Sequence, residues 1–285
     1  MSSFLLFNQL RRSIWSSCPS RLLKQHAGFS SAKLLDPGSC QKRHFTKKVQ
    51  ETPSLHRTGL GSCISGFQPL KFQQTSEHER SGTILIFDTE TTGLRYKHDR
   101  IVELALCDFS GGKNSTFETL INPEMDVPKS LKKINNITTD LVCRPDVPRF
   151  NDVLPLLLAY VRSRQTPGKP VIWVAHNAIF DIRFLAQEFG RCSAQMPEDW
   201  LFVDSLRLAR ELPKVPQTDE KTHLLNLGAL SKRYGISVEK PAHRAMQDVM
   251  TLCQVFQKIT SDLKLTYEGL MNVATKASDF RKVFK

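Results

Sequence analysis

Paired cysteines are missing from this sequence: its seven cysteines, at 18, 40, 63, 107, 143, 192 and 253, are odd in number, and no two stand as Cys-x-x-Cys. A disulfide scaffold and a zinc ribbon are both disfavoured, which leaves small buried thiols in a reducing compartment. Long apolar runs are missing too, and the apolar piece at residues 4–7 is too short for a secretory signal. The expectation is a protein that works in solution and not in a membrane. There is no internal repeat, which excludes solenoids and propellers.

Acids are scarce where the chain begins. None precedes Asp36, while Arg11, Arg12, Arg21, Lys24 and Lys33 alternate with eight serines. That is the composition of an organelle transit peptide, the alternative being a basic arm that binds nucleic acid directly. Residues 1–76 carry eleven Lys or Arg against two acids, so most of the net charge of +12 sits there. Overall basicity therefore says little about the ligand of the core. Up to residue 80 no period is sustained and Gly, Pro and Ser break the chain, which reads as leader plus linker.

From Thr83 the pattern changes. Residues 83–87, 101–109 and 116–121 read as three strands with short links, an antiparallel start. Phe150, Val153, Leu154, Leu157, Leu158 and Val161 follow at helical spacing, and prolines 167 and 170 mark the stop. Residues 171–174 then predict a buried strand, 182–189 a helix ended by Gly190, 201–203 a short strand, and 224–234 and 245–259 two more helices. Strands first and strand–helix alternation afterwards predict an α/β fold, a mixed β-sheet flanked by helices. The domain is expected over residues 81–260, with 261–285 as a helical extension or tail.

Within this frame a few charged residues stand out. The stretch ILIFDTETTG ends an apolar run with Asp88 and Glu90, and no Lys or Arg lies between Arg80 and Arg95. If the strand stays extended, its period of two puts both acids on one face, where they repel each other. Either they face water in a turn, or they are half of a cation site that needs more carboxylates downstream. In VIWVAHNAIFDIRFL, Asp181 stands where a strand runs into a helix; its ordinary role would be an N-cap. His176 and Asn177 read as hydrogen-bonding scaffolds of that turn, and Phe180, Ile182, Phe184 and Leu185 as packing. In KPAHRAMQDVM, His243 and Asp248 are five apart, about 140° around a helix, so they share a site only if the helix begins after Pro241 and leaves His243 near the loop.

Together FDTETTGL, HNAIFDIRFL and HRAMQDV resemble the three motifs of the DEDDh-type 3′-to-5′ exonucleases, and RIVELAL and LGALSKRYGI add weaker likeness. That family has a ribonuclease H-like fold and includes bacterial proofreading subunits, small eukaryotic repair exonucleases and plant organellar nucleases, which this chain resembles most. The resemblance implies two Mg²⁺ ions, with Mn²⁺ as substitute, held by Asp88, Glu90, Asp181 and Asp248, and His243 as general base on the attacking water. It also implies nucleic acid as partner, DNA in preference to RNA, in chloroplast, mitochondrion or both. An RNA-trimming exoribonuclease and a non-catalytic polymerase-accessory module are the rival readings. Where many relatives carry His-Gly this chain has Asn135 and Asn136, a departure expected to touch substrate contacts and not the metal site.

Overall fold

The computed structural model describes residues 82–213, 225–238 and 243–282, all within one compact unit. The leader, residue 224 and Pro241 lie outside the described residues. Strand β1 (Thr83–Thr91) pairs antiparallel with β2 (Ile101–Asp108), which pairs antiparallel with β3 (Thr116–Leu120). Two short helices, α1 (Lys129–Asn135) and α2 (Thr139–Val142), lead into α3 (Phe150–Arg164). Then β4 (Val171–Ala175), α4 (Ile179–Arg191), β5 (Trp200–Asp204), α5 (Ser205–Arg210), α6 (Leu227–Arg233) and α7 (Ala245–Asp262) follow. The described chain closes with α8 (Tyr267–Val273), β6 (Thr275–Lys276) and α9 (Ala277–Lys282).

The sheet order is β3-β2-β1-β4-β5-β6, parallel from β1 through β4 to β5 and antiparallel elsewhere. This is the expected mixed sheet flanked by helices. Its central strand explains the apolar run at its start: Leu85 and Phe87 pack with Phe150 and Leu157 of α3 and Ile182 and Leu185 of α4. Ile84 and Ile86 pack on the other side with Val249 and Leu252 of α7. A strand covered on both faces needs apolar residues at every position. The two faces of β1 thus look at different helices.

Some boundaries differ from expectation for local reasons. Gly190 does not end α4, which runs on through Arg191, because the Cys192 N–H still reaches the Glu188 carbonyl at 3.1 Å. α1 and α2 were too short to show a period. They form a small separate core of Val102, Val127, Leu131, Ile137 and Val142. Past residue 260, Leu270 is fully buried, the Tyr267 hydroxyl donates to the Pro170 carbonyl at 3.3 Å, and β6 pairs with β5. Among the described residues no helix is long and apolar enough to cross a membrane.

Candidate active site

The period of two in β1 carries past the core. Asp88 and Glu90 continue the face of Ile84 and Ile86, the face that α7 covers, and α7 carries Asp248 in its first turn. Ligand oxygens of Asp88, Glu90 and Asp248 all lie within 4.8 Å of one another, with Glu90 buried and the other two partly so. Like charges this close repel unless a cation or a proton offsets them. A cluster of carboxylate oxygens suits a hard divalent ion.

Asp181 arrives from the other side of the sheet. It is the third residue of α4 and not its N-cap, which is Ala178, so the capping role suggested by the sequence is not the one it has. β1 outruns its parallel neighbour, since the pairing with β4 ends at Ile86 opposite Val174. Beyond that point the fully buried Asp181 takes the place of a strand partner: its Oδ1 accepts the Thr89 N–H at 3.1 Å and the Thr89 hydroxyl at 2.7 Å. Asp181 is therefore fixed to the residue between Asp88 and Glu90.

The turn before α4 is braced as a scaffold. The Ser205 hydroxyl is 3.1 Å from the Ala175 carbonyl and shares a hydrogen bond with His176 Nδ1 at 2.9 Å. Asn177 adopts φ 64°, and Asp204 Oδ1 accepts its N–H at 2.9 Å and that of Leu206 at 3.0 Å. Burial pushes the Asp204 carboxyl above the usual range, opposed by these backbone bonds and that of Ala178. Both residues serve the turn, as their position suggested.

His243 and Asp248 do meet. α7 begins only at Ala245, behind Arg244 as N-cap, and His243 lies outside the helix with φ 73°. The 140° objection disappears because only one of the two residues is helical. His243 Nδ1 stands 4.0 Å from Asp248 Oδ2, too far for a hydrogen bond.

One site residue was not identified from the sequence. Glu103 on β2 is fully buried and directly opposite Glu90 in register. Both its oxygens are taken by the Arg244 guanidinium, with Nε at 2.9 and 3.0 Å and Nη2 also bonded, and Oε2 accepts the Ala245 N–H at 2.9 Å. This bond is the main cause that raises the Arg244 pKa. Glu103 thereby anchors the start of α7 and, through it, Asp248 and the His243 turn. The available signal was an acid inside the apolar strand IVELAL; its partner, 141 residues away, was invisible.

The loop after β1 is tied down by hydrogen bonds at both ends. The Thr92 N–H donates to the Arg100 carbonyl at 2.8 Å, and the Arg100 N–H donates to the Thr92 hydroxyl at 2.9 Å. Arg100 also clamps the buried Glu188 of α4 at 2.8 and 3.0 Å. A Cβ at Gly93 would lie 2.5 Å from Asp99 Oδ2, so a larger residue would displace the carboxylate that accepts the Arg95 N–H at 2.7 Å.

Comparisons with known proteins agree with this fold. A family described as Exonuclease (RNase_T) matches residues 85–256. The chain is 39% identical over 293 residues to "Exonuclease DPD1, chloroplastic/mitochondrial" of Arabidopsis thaliana, covering 94% of this chain and 92% of that protein. It is 34% identical over 172 residues to the DNA polymerase III subunit epsilon of Treponema pallidum, covering 60% of this chain and 73% of that protein. The zinc-bound E. coli ExoI–ssDNA complex superposes with a TM-score of 0.54 at 18% identity, over 64% of this chain and 41% of that one, a likeness of fold. With motif residues, sheet and family match in agreement, the chain belongs to the RNase_T exonuclease family and is a 3′-to-5′ exonuclease by membership.

Proposed function

We propose that this exonuclease degrades DNA in chloroplasts, mitochondria or both, with two divalent cations, Mg²⁺ or in its place Mn²⁺, and a histidine base. The observation that carries the reading is the convergence of Asp88, Glu90 and Asp248 within 4.8 Å at the end of the central strand. These oxygens fit hard cations, and in this reading Asp181, tied to Thr89 between the two β1 acids, supports a second one. Bound cations would stabilise the attacking and leaving oxygens of phosphodiester hydrolysis. His243 then has a separate task. Held off the helix beside Asp248, it can take a proton from the attacking water.

DNA is supported by relatives whose names place them in a DNA polymerase and on single-stranded DNA. Mass-resolved products from 5′-end-labelled DNA and RNA oligonucleotides test it. Mg²⁺-dependent stepwise shortening, faster on DNA, is expected. Faster trimming of RNA would make the chain an exoribonuclease, and binding without shortening would make it an accessory module.

The organellar assignment rests on the chloroplastic/mitochondrial naming of the Arabidopsis relative and on the acid-free basic start. In this reading residues 1–80 are transit peptide and linker, 81–260 the exonuclease domain and 261–285 its helical extension. Residues 1–48 fused to a fluorescent protein should enter plastids, mitochondria or both. A uniform cytosolic or nuclear signal would instead favour the nucleic-acid-binding arm.

A further inference from the structure

The departure at Asn135 and Asn136 touches the carboxylate cluster, contrary to what the sequence suggested. Asn135 is the last residue of α1 and is 2% exposed. Its Oδ1 accepts the Ile137 N–H at 3.0 Å, and its Nδ2 donates to Glu90 Oε2 at 3.1 Å. The first bond decides the orientation of the amide. Only the carbonyl end can accept from Ile137, so the NH₂ end must face Glu90. Asn136 caps the helix in the left-handed region at φ 56°, a conformation asparagine tolerates better than most side chains, and its N–H donates to the Lys132 carbonyl at 3.1 Å. Leu131 and Ile137, on either side of the pair, belong to the small core around Val102 of β2. The amide is thus held by a packed element that is separate from β1 and α7.

We propose that Asn135 is a positioning residue for Glu90: a neutral, oriented donor that fixes the rotation of this carboxylate and so sets the affinity of the acidic cluster for a divalent cation. The reasoning rests on the cation site proposed above. An amide donor suits this task because it stabilises a carboxylate without neutralising it, whereas a cationic donor would compete with the metal for the same charge. A carboxylate free to rotate would lose part of its alignment each time a cation departs. Residues that orient a ligand in this way commonly account for about 10- to 100-fold in metal affinity.

Calorimetric titration of Mn²⁺ into the full chain without nucleic acid, on wild type, Asn135→Ala and Asn135→His, reads the effect apart from turnover. Asn135→Ala should weaken Mn²⁺ binding by about 10- to 100-fold. Its KM for a DNA oligonucleotide at saturating metal should stay near that of wild type. Asn135→His, which restores a ring N–H donor, should recover at least part of the affinity; if Asn135→Ala does not fold, Asn135→Leu, similar in size and without a donor, takes its place. Unchanged Mn²⁺ affinity in Asn135→Ala or Asn135→Leu would overturn the proposal, as would a raised KM with metal binding intact, which would make Asn135 a substrate contact. Failure of the wild type itself to bind Mn²⁺ would overturn the cation site, an outcome distinct from either.

Discussion

Asp88→Asn is expected to lower nuclease turnover at least about 10³-fold while leaving the fold intact. Asp88 is one of three acids whose oxygens lie within 4.8 Å, and it extends the central strand whose apolar part supplies the core. The amide keeps the size of the side chain but loses the charge that would hold a cation. Without metal, the wild type bears the mutual repulsion of the cluster, and the substitution relieves it. In chelator the variant should therefore melt at the wild-type temperature or up to about 2–4 °C above it, the shift that about 1 kcal/mol produces in a domain of this size. Stabilisation by added Mg²⁺ should shrink. Full activity in the variant would remove Asp88 from the mechanism, and early melting in chelator would mean that the acid serves the fold.

His243→Ala should separate proton transfer from metal binding. Loss of a general base typically costs about 10²- to 10⁴-fold in turnover. His243 lies outside α7, and its ring stands 4.0 Å from Asp248, so removing it should leave Mn²⁺ affinity within a few-fold of wild type. Asp248→Ala should weaken metal binding and turnover together. Calorimetry and single-turnover rates on a DNA oligonucleotide would distinguish the two variants. Unchanged turnover in His243→Ala would make the residue a bystander, and a loss of metal affinity equal to that of Asp248→Ala would make it a ligand.

Local features were legible before the structure, and long-range ones were not. β1, β2 and β4 stood out because strands buried on both faces must be apolar throughout, and the same logic exposed Asp88 and Glu90 as exceptions on a shared face. His243 and Asp248 could be brought together by helix geometry alone, since a helix that begins at Ala245 resolves the angular conflict. Asp181 was found but its bonds to Thr89 were not, because the end of β4 pairing, which frees the Thr89 N–H for it, is a property of the sheet and not of the segment. Glu103 needed Arg244 and Glu90 needed Asn135, partners 141 and 45 residues away. The short helices around residues 129–142 carry too few turns for a hydrophobic period, so their small core became visible only in three dimensions. The edge strand β6, two residues long, left no signal at all.

The central claim is that Asp88, Glu90 and Asp248 hold catalytic cations, and anomalous diffraction from crystals grown with Mn²⁺ and a nucleoside monophosphate tests it most directly. The account predicts a strong peak within about 2.0–2.3 Å of oxygens of Asp88, Glu90 and Asp248. A second peak is expected about 4 Å away on the side of Asp181, as in two-metal sites. Crystals with clear nucleotide density and no Mn²⁺ peak between these three carboxylates would contradict it.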